Sequence, residues 1–305
     1  MGMSTSKVGE LTMIGSHQSL KQDYKHCLEI MQAASKNYSF ASRFLPADKL
    51  SHVSALYAFL RVGDDRVDVS HHGFNSSLEA IEHWEQNYWH AFNTGSSLDP
   101  VLRAYLDTAQ KFSIPSALMD PYFKAMKADL TITRFQTFSD LVNYMKGSAI
   151  TVGQAMTYIL GIQPGYVMEE VLPYADALSI AMQLSNFWRD IRYDWSIGRV
   201  YIPQEDLQRF GVTEDDIANQ RLTSQFIDLL SFEIDRTEQY YQQARLDIPK
   251  LASGQWGVHS SLEIYRSIIT NIKRNGYDVY NHHNGANKFG KIGLALKSWW
   301  CTRNY

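Results

Sequence analysis

Apolar residues recur along most of this chain at i, i+3, i+4 and i+7 rather than in strict alternation. That spacing gathers them on one stripe of a helix with 3.6 residues per turn, so the elements it predicts are amphipathic α-helices. Leu78, Ile81, Trp84, Tyr88 and Phe92 form one stripe, and Phe226, Leu229, Leu230, Phe232 and Ile234, with Tyr240 and Tyr241, lie within another. Helix-ending signals fall at Gly95, at Pro115, at Gly161 to Pro164 and at Gly198 to Pro203. No Ser/Gly/Pro-rich linker, low-complexity tract or internal repeat interrupts the pattern. The expectation is an all-α protein, with a polar N-terminal segment over residues 1–22 and one helical domain over 23–300.

With 305 residues, 45% of them hydrophobic, the chain has enough apolar surface to bury a substantial core. A net charge of −3 gives no basic footprint, which argues against nucleic acid as a partner. Cys27 and Cys301 lie near opposite ends without metal-ligand spacing, so neither a disulfide framework nor a zinc site is expected. The first twenty residues lack the basic and apolar regions of a secretory signal. No run approaches the roughly 18 apolar residues of a membrane span. A cytoplasmic protein is the expectation. The stretch Leu294 to Trp300 has two readings: a peripheral contact with a lipid interface, where Trp is enriched, or a terminal segment packing its indoles on the body. The second is the more ordinary expectation.

Chemistry concentrates in two aspartate-rich segments, Asp64-Asp65-Arg66-Val67-Asp68 and Asp190-Ile191-Arg192-Tyr193-Asp194. On a helix, carboxylates four positions apart share one face, roughly 6 Å apart. Acidic residues at this spacing usually mark a solvated face. Here they follow Ala55 to Leu60 and Ile180 to Trp188, which are too apolar for surface helices. Like charges at i and i+4 also destabilise a helix unless a cation compensates them. Magnesium suits the role, because it keeps several waters and takes one or two protein carboxylates together with phosphate oxygens. Two such claws point to two diphosphate-binding faces. Met182, Phe187 and Trp188 beside the second claw read first as core, although their position also fits the wall of a substrate cavity.

With both claws placed, the chain resembles the squalene/phytoene synthase family, whose members join two allylic prenyl diphosphates head to head. The resemblance runs from about Ser35 to Tyr280 and rests on several motifs in order. These are Ser35 to Pro46, Tyr57 to Asp68, Tyr144 with Gly147 to Gly153, and Gln183 to Asp194 followed by Gly198-Arg199-Val200-Tyr201-Ile202-Pro203. The resemblance implies an all-α prenyl-synthase bundle around a central apolar cavity, with the aspartate motifs facing each other across its mouth. It implies that Asp64, Asp68, Asp190 and Asp194 hold magnesium, helped by Asp65 and by Asn186. It places Arg61, Arg189, Arg199 and Gln183 with the substrate diphosphates and Tyr144 and Tyr265 among the residues lining the site.

Three features depart from the family pattern. Ala34 stands where relatives often have histidine, Ile191-Arg192-Tyr193 where Val-Gly-Glu is common, and Tyr280 to Lys288 where a basic segment is usual. The last bears on the second substrate. His259, His282 and His283 read as loop residues and not as metal ligands. Gly147-Ser148-Ala149 leans toward phytoene synthases acting on geranylgeranyl diphosphate. Asn186-Phe187-Trp188, Asp194-Trp195 and the loop to Pro203 lean toward squalene or hydroxysqualene synthases acting on farnesyl diphosphate. The first reading needs no NADPH and the squalene reading does; no Gly-rich dinucleotide fingerprint is present. A lyase that ionises a single prenyl diphosphate is a second class of function, motivated by the altered tail. A non-catalytic relative is disfavoured by the retained aspartates.

Overall fold

The computed structural model describes residues 6–34, 44–68 and 73–303. Most of the Ser35 to Pro46 motif therefore lies outside the described residues. Among those described, all regular structure is helical, and the only β-type pairings are isolated bridges between Arg134 and Val200 and between Ile162 and Leu251. The helices group into two compact units, Met1–Ala117 and Leu118–Tyr305.

The first unit contains α1 (Ser6–Ala34), α2 (Ala47–Asp68), α3 (Ser77–Thr94) and α4 (Pro100–Lys111). Its boundaries follow capping chemistry: the Ser76 hydroxyl accepts the Glu79 N–H at the start of α3, and Gly95 closes it in the left-handed conformation at φ 72°. Asp99 caps α4 by accepting from the Val101 and Leu102 N–H groups, and Pro100 follows in the first turn, where no amide is needed. Phe59 of α2 sits at the centre, stacked on Tyr105 at 4.4 Å and on Trp84 at 5.6 Å. The stripe on α3 buries Ile81, Trp84 and Tyr88 as its spacing predicts, but Leu78, in the first turn, is exposed. Buried Asp23 ties α1 to α4 through a two-pronged bond from Arg103, at 2.7 and 2.8 Å.

The second unit runs through α5 (Asp120–Ala128), α6 (Phe138–Met145), a π-helical turn (Lys146–Ile150), α7 (Thr151–Leu160), α8 (Met168–Ser196), α9 (Gln204–Phe210), α10 (Glu214–Ala218), α11 (Ser224–Arg245), α12 (Gln255–Arg274) and α13 (Lys288–Thr302). α8 lies against α11, and two buried polar contacts set their register. Trp188 Nε1 donates to Thr237 Oγ1 at 2.9 Å, and the Ser185 and Tyr241 hydroxyls meet at 2.8 Å. The stripe on α11 buries Phe226, Leu229, Leu230, Ile234 and Tyr241, while Phe232 lies under the guanidinium groups of Arg209 and Arg236.

The two glycines of the central motif have steric reasons. A Cβ on Gly147 would lie 1.9 Å from the Pro121 carbonyl oxygen, and one on Gly153 would lie 2.0 Å from Ser179 Oγ, so both residues let backbones approach closely. Two expectations are corrected here. His259 is not in a loop: it is buried within α12, its Nδ1 3.0 Å from the Ser298 hydroxyl. Trp299 and Trp300 do not pack on the body but are exposed on α13. Among the described residues no helix is long and apolar enough to cross a membrane, and both cysteines are free.

Candidate active site

On α8, Gln183, Asn186, Asp190 and Asp194 follow one another at i, i+3, i+7 and i+11, and the helical period places all four on one face. Arg189 is bound to Asp190 through Nε at 2.7 Å and Nη2 at 2.5 Å. Burial pulls the Arg189 guanidinium down, but its bond to Asp190 and the charges of Asp190, Tyr265 and Asp194 outweigh this and leave it above its ordinary value. Tyr265, on α12, therefore stands within electrostatic reach of the claw. Asp194 is pushed up to about 7 by burial and by the neighbouring Asp190, against the opposing pull of Arg199 and Arg189.

Beyond α8 the chain turns at Gly198, φ 81°, and the Arg199 N–H returns to the Asp194 carbonyl at 2.8 Å. The Arg199 guanidinium donates to the Tyr201 hydroxyl at 3.1 Å and to the Asp129 carbonyl at 3.0 Å. Tyr201 stacks on Phe187 at 3.9 Å, and Phe135 and Tyr144 lie 5.9 and 6.1 Å away. Burial, followed by the charges of Asp129 and Tyr201, raises Tyr144 well above the ordinary phenol range, so it stays a neutral hydroxyl. A recess of about 220 Å³, open mouth included, is lined by Phe187, Asp194, Arg199, Tyr201 and apolar neighbours. It is smaller than the roughly 300–1,000 Å³ of ordinary small-molecule sites, so it takes in at most the diphosphate end of a prenyl substrate.

In the first unit the counterpart lies at the end of α2, where Arg61, Asp64, Asp65 and Asp68 occupy one face at i, i+3, i+4 and i+7. Arg61 is paired with Asp65 at 2.5 Å. Asp64 and Asp65 are half-buried and Asp68 is exposed. Each unit thus presents a carboxylate face with an arginine bound to one of its acids.

The structure adds residues that the sequence pattern did not single out. Tyr201 was visible only as part of the loop after Gly198. Asp129 comes from the end of α5 and Lys291 from α13, where burial and the Arg189 charge hold its amine below the ordinary lysine value. Neither carried a motif of its own. Two departures from the family pattern also meet here: Arg192 donates from Nη1 to the Tyr280 carbonyl at 2.9 Å. Beyond it, Asn281 bonds to the Asp278 carboxylate, and buried Asn284 bonds to the Asp278 carbonyl and to Asn275, so the divergent tail is an ordered asparagine-rich turn.

The sequence profile of squalene/phytoene synthase matches residues 31–291. The chain belongs to this family. It is an enzyme of the phytoene/squalene synthase type, a prenyltransferase. The 15-cis-phytoene synthase of Synechocystis sp. is 30% identical over 275 residues, covering 86% of this chain and 80% of the relative. The phytoene synthase of Arthrospira platensis is 30% identical over 268 residues, covering 85% of this chain and 86% of its own. Among solved structures, a dehydrosqualene synthase in complex with ligand shares the fold, with a TM-score of 0.86, 24% identity and coverage of 94% of this chain and 99% of that one. Squalene synthase HpnC from Alicyclobacillus acidocaldarius aligns with a TM-score of 0.78 and 26% identity over 85% of this chain and 96% of its own.

The family uses a divalent metal, and the donor chemistry of the second claw fits one. Asp190 and Asp194 repel each other in a half-buried setting, a state that a cation relieves. Among the described residues no three His, Cys, Asp or Glu side chains form a ready-made metal cage. Pairs of carboxylates that share a cation with phosphate oxygens suit magnesium better than an all-protein calcium site.

Proposed function

We propose that this enzyme condenses two prenyl diphosphates head to head, with magnesium, through a cyclopropylcarbinyl diphosphate, and that the substrate is geranylgeranyl diphosphate and the product phytoene. The observation that carries the reading is the shared face of Gln183, Asn186, Asp190 and Asp194, flanked by Arg189 and Arg199 and backed by an aromatic wall. Asp64 with Asp68 on α2, and Asp190 with Asp194 on α8, would each hold metal, which when bound neutralises a departing diphosphate. Arg189 and Arg199 add fixed positive charge where the leaving group develops its own negative charge, the arrangement that lowers an ionisation barrier most directly. Phe187, Tyr201, Phe135 and the neutral Tyr144 exclude water from the allylic cation. Their ring faces stabilise it by about 0.5–2 kcal/mol each. NADPH is not required for a phytoene product.

The geranylgeranyl substrate is favoured by the two phytoene synthases at 30% identity. Squalene or hydroxysqualene formation from farnesyl diphosphate is the second reading, supported by the 26%-identical squalene synthase. The purified protein is to be incubated with magnesium and either farnesyl or geranylgeranyl diphosphate, with and without NADPH. Each incubation mixes unlabelled and deuterated substrate, and the hydrocarbons are read by mass spectrometry. The expected result is a half-labelled product carrying both skeletons, from geranylgeranyl diphosphate and independent of NADPH. Only fully light and fully heavy products of single-substrate size would mean a lyase and overturn the condensation.

A further inference from the structure

Helix α13 is seated with its small polar side inward and its large apolar side outward. Against α12 it buries Ala295, Ser298 and Thr302, and the contacts there are polar: Trp256 Nε1 donates to the Ala295 carbonyl at 2.8 Å and His259 meets the Ser298 hydroxyl. On the opposite side Phe289 is 83% exposed, Leu296 61%, Trp300 60%, Trp299 49% and Ile292 39%. At about 100° per residue these five side chains fall within a sector roughly 100° wide, so they form one continuous stripe rather than scattered exposures. Single exposed apolar residues are ordinary, whereas a contiguous patch of this size marks a contact surface.

The charge around the stripe identifies what covers it. Beyond Asp278 the sequence has four cations and no acidic residue, although the protein as a whole has a net charge of −3; Lys297 and Arg303 are exposed on and at the end of α13, whereas Lys291 faces the Arg189 charge. Arg303 lies over the Trp300 ring at 3.4 Å, so cation and indole occupy the same edge. A second copy of the chain meeting this face about a twofold axis would bring the same cations together. An anionic lipid surface offers the opposite charge, and tryptophan with basic residues is the composition that settles at the headgroup level. We infer that α13 is an interfacial docking helix that lays Phe289, Ile292, Leu296, Trp299 and Trp300 into the surface of an anionic bilayer. It lies in the plane of the membrane, with the body of the second unit above it.

Vesicle sedimentation of the full chain without substrate tests this, and its outcome is independent of the reaction assigned above. The vesicles are phosphatidylcholine alone and phosphatidylcholine with phosphatidylglycerol. The expected result is binding to the anionic vesicles that weakens as salt is raised. Leu296→Ser with Trp300→Ser should lower partitioning about a hundredfold, at roughly tenfold per apolar side chain withdrawn from the interface. Lys297→Ala and Arg303→Ala should each lower it about fivefold, and only on anionic vesicles. All four side chains are exposed or at the helix end, so unchanged circular dichroism and melting confirm that the variants are folded. Failure to sediment with either vesicle, or equal binding by the Leu296/Trp300 variant, overturns the inference. Sedimentation velocity supplies a further refutation: a wild-type dimer that this variant dissociates, without vesicle binding, would assign the stripe to a second copy.

Discussion

Asp194→Asn should make the protein more stable, because folding does not need this carboxylate charged, and much less active, because the proposed function gives it a metal to hold. In the fold it titrates at about 7 instead of 3.8, driven by burial and by Asp190. Below pH 3.8 the group is protonated in both states and costs nothing. Between 3.8 and about 7 the unfolded chain has released the proton while the fold retains it, so stability falls as pH rises, and above about 7 the loss is complete. The ceiling on that loss is about 4 kcal/mol. Relaxation of the site and the nearby arginines bring the expected gain for the variant to about 1–3 kcal/mol at pH 8.

Urea denaturation in a chelator, followed by circular dichroism from pH 8 down toward 4, measures the gain. The asparagine is uncharged throughout, so the variant's advantage should shrink steadily as pH drops. Its backbone bonds are unaffected, since the Arg199 N–H reaches the carbonyl of residue 194 and not the side chain. Pyrophosphate release with magnesium should meanwhile fall by orders of magnitude, as expected when a metal-holding carboxylate is lost from an ionisation. A variant less stable than wild type at pH 8, or a gain of equal size at pH 4 and pH 8, would refute the electrostatic argument. Near-wild-type turnover would refute the site.

Asp64→Ala should abolish turnover while leaving the helical circular dichroism signal intact; chelation should do the same to the wild type, with calcium restoring activity poorly because it prefers longer bonds and more ligands. Glu233, pushed up to about 8 by burial with Arg236 opposing and Asp206 reinforcing, makes stability decline as pH rises from about 4.5 to 8. Glu233→Gln should flatten that decline in melting temperatures taken across the range, and unchanged slopes would count against it. Gly147→Ala should lower stability by about 1–3 kcal/mol through overpacking on the Pro121 backbone, partly offset by the ~1 kcal/mol helix preference of alanine. Gly153→Ala should cost less, because the Ser179 hydroxyl it meets can rotate away. Denaturation midpoints in the reverse order would show that the two contacts are misjudged.

The features legible in the sequence are those whose cause is local. The α3 and α11 stripes and the carboxylate faces of α2 and α8 follow from helical period alone, and the end of α3 at Gly95 from the conformation that glycine itself allows. Asp129 and Lys291 were not legible, because each reaches the second claw from a different helix and carries no spacing signal. The seating of α13 ran against the pattern. Apolar content predicts that Trp299 and Trp300 turn inward, yet the small side chains of Ala295 and Ser298 let α13 approach α12, where Trp256 and His259 required polar partners. That inward side is set by the pairing of α13 with Trp256 and His259, which no reading of α13 by itself contains.

The same reasoning changes the meaning of the divergent tail. Read along the chain, Arg192 in the second aspartate segment and the asparagine-rich stretch after Tyr280 are two unrelated departures, and the second suggests a weakened site for the second substrate. In space they are one feature, since the Arg192 guanidinium bonds to the Tyr280 carbonyl and braces the turn that Asp278, Asn281 and Asn284 close. Positive charge stands near the claw on Arg189 of α8 and on Lys291 of α13, whose amine the Arg189 charge holds down. The tail is therefore an ordered scaffold beside the second aspartate segment, and its altered sequence does not by itself favour a single-substrate lyase over condensation.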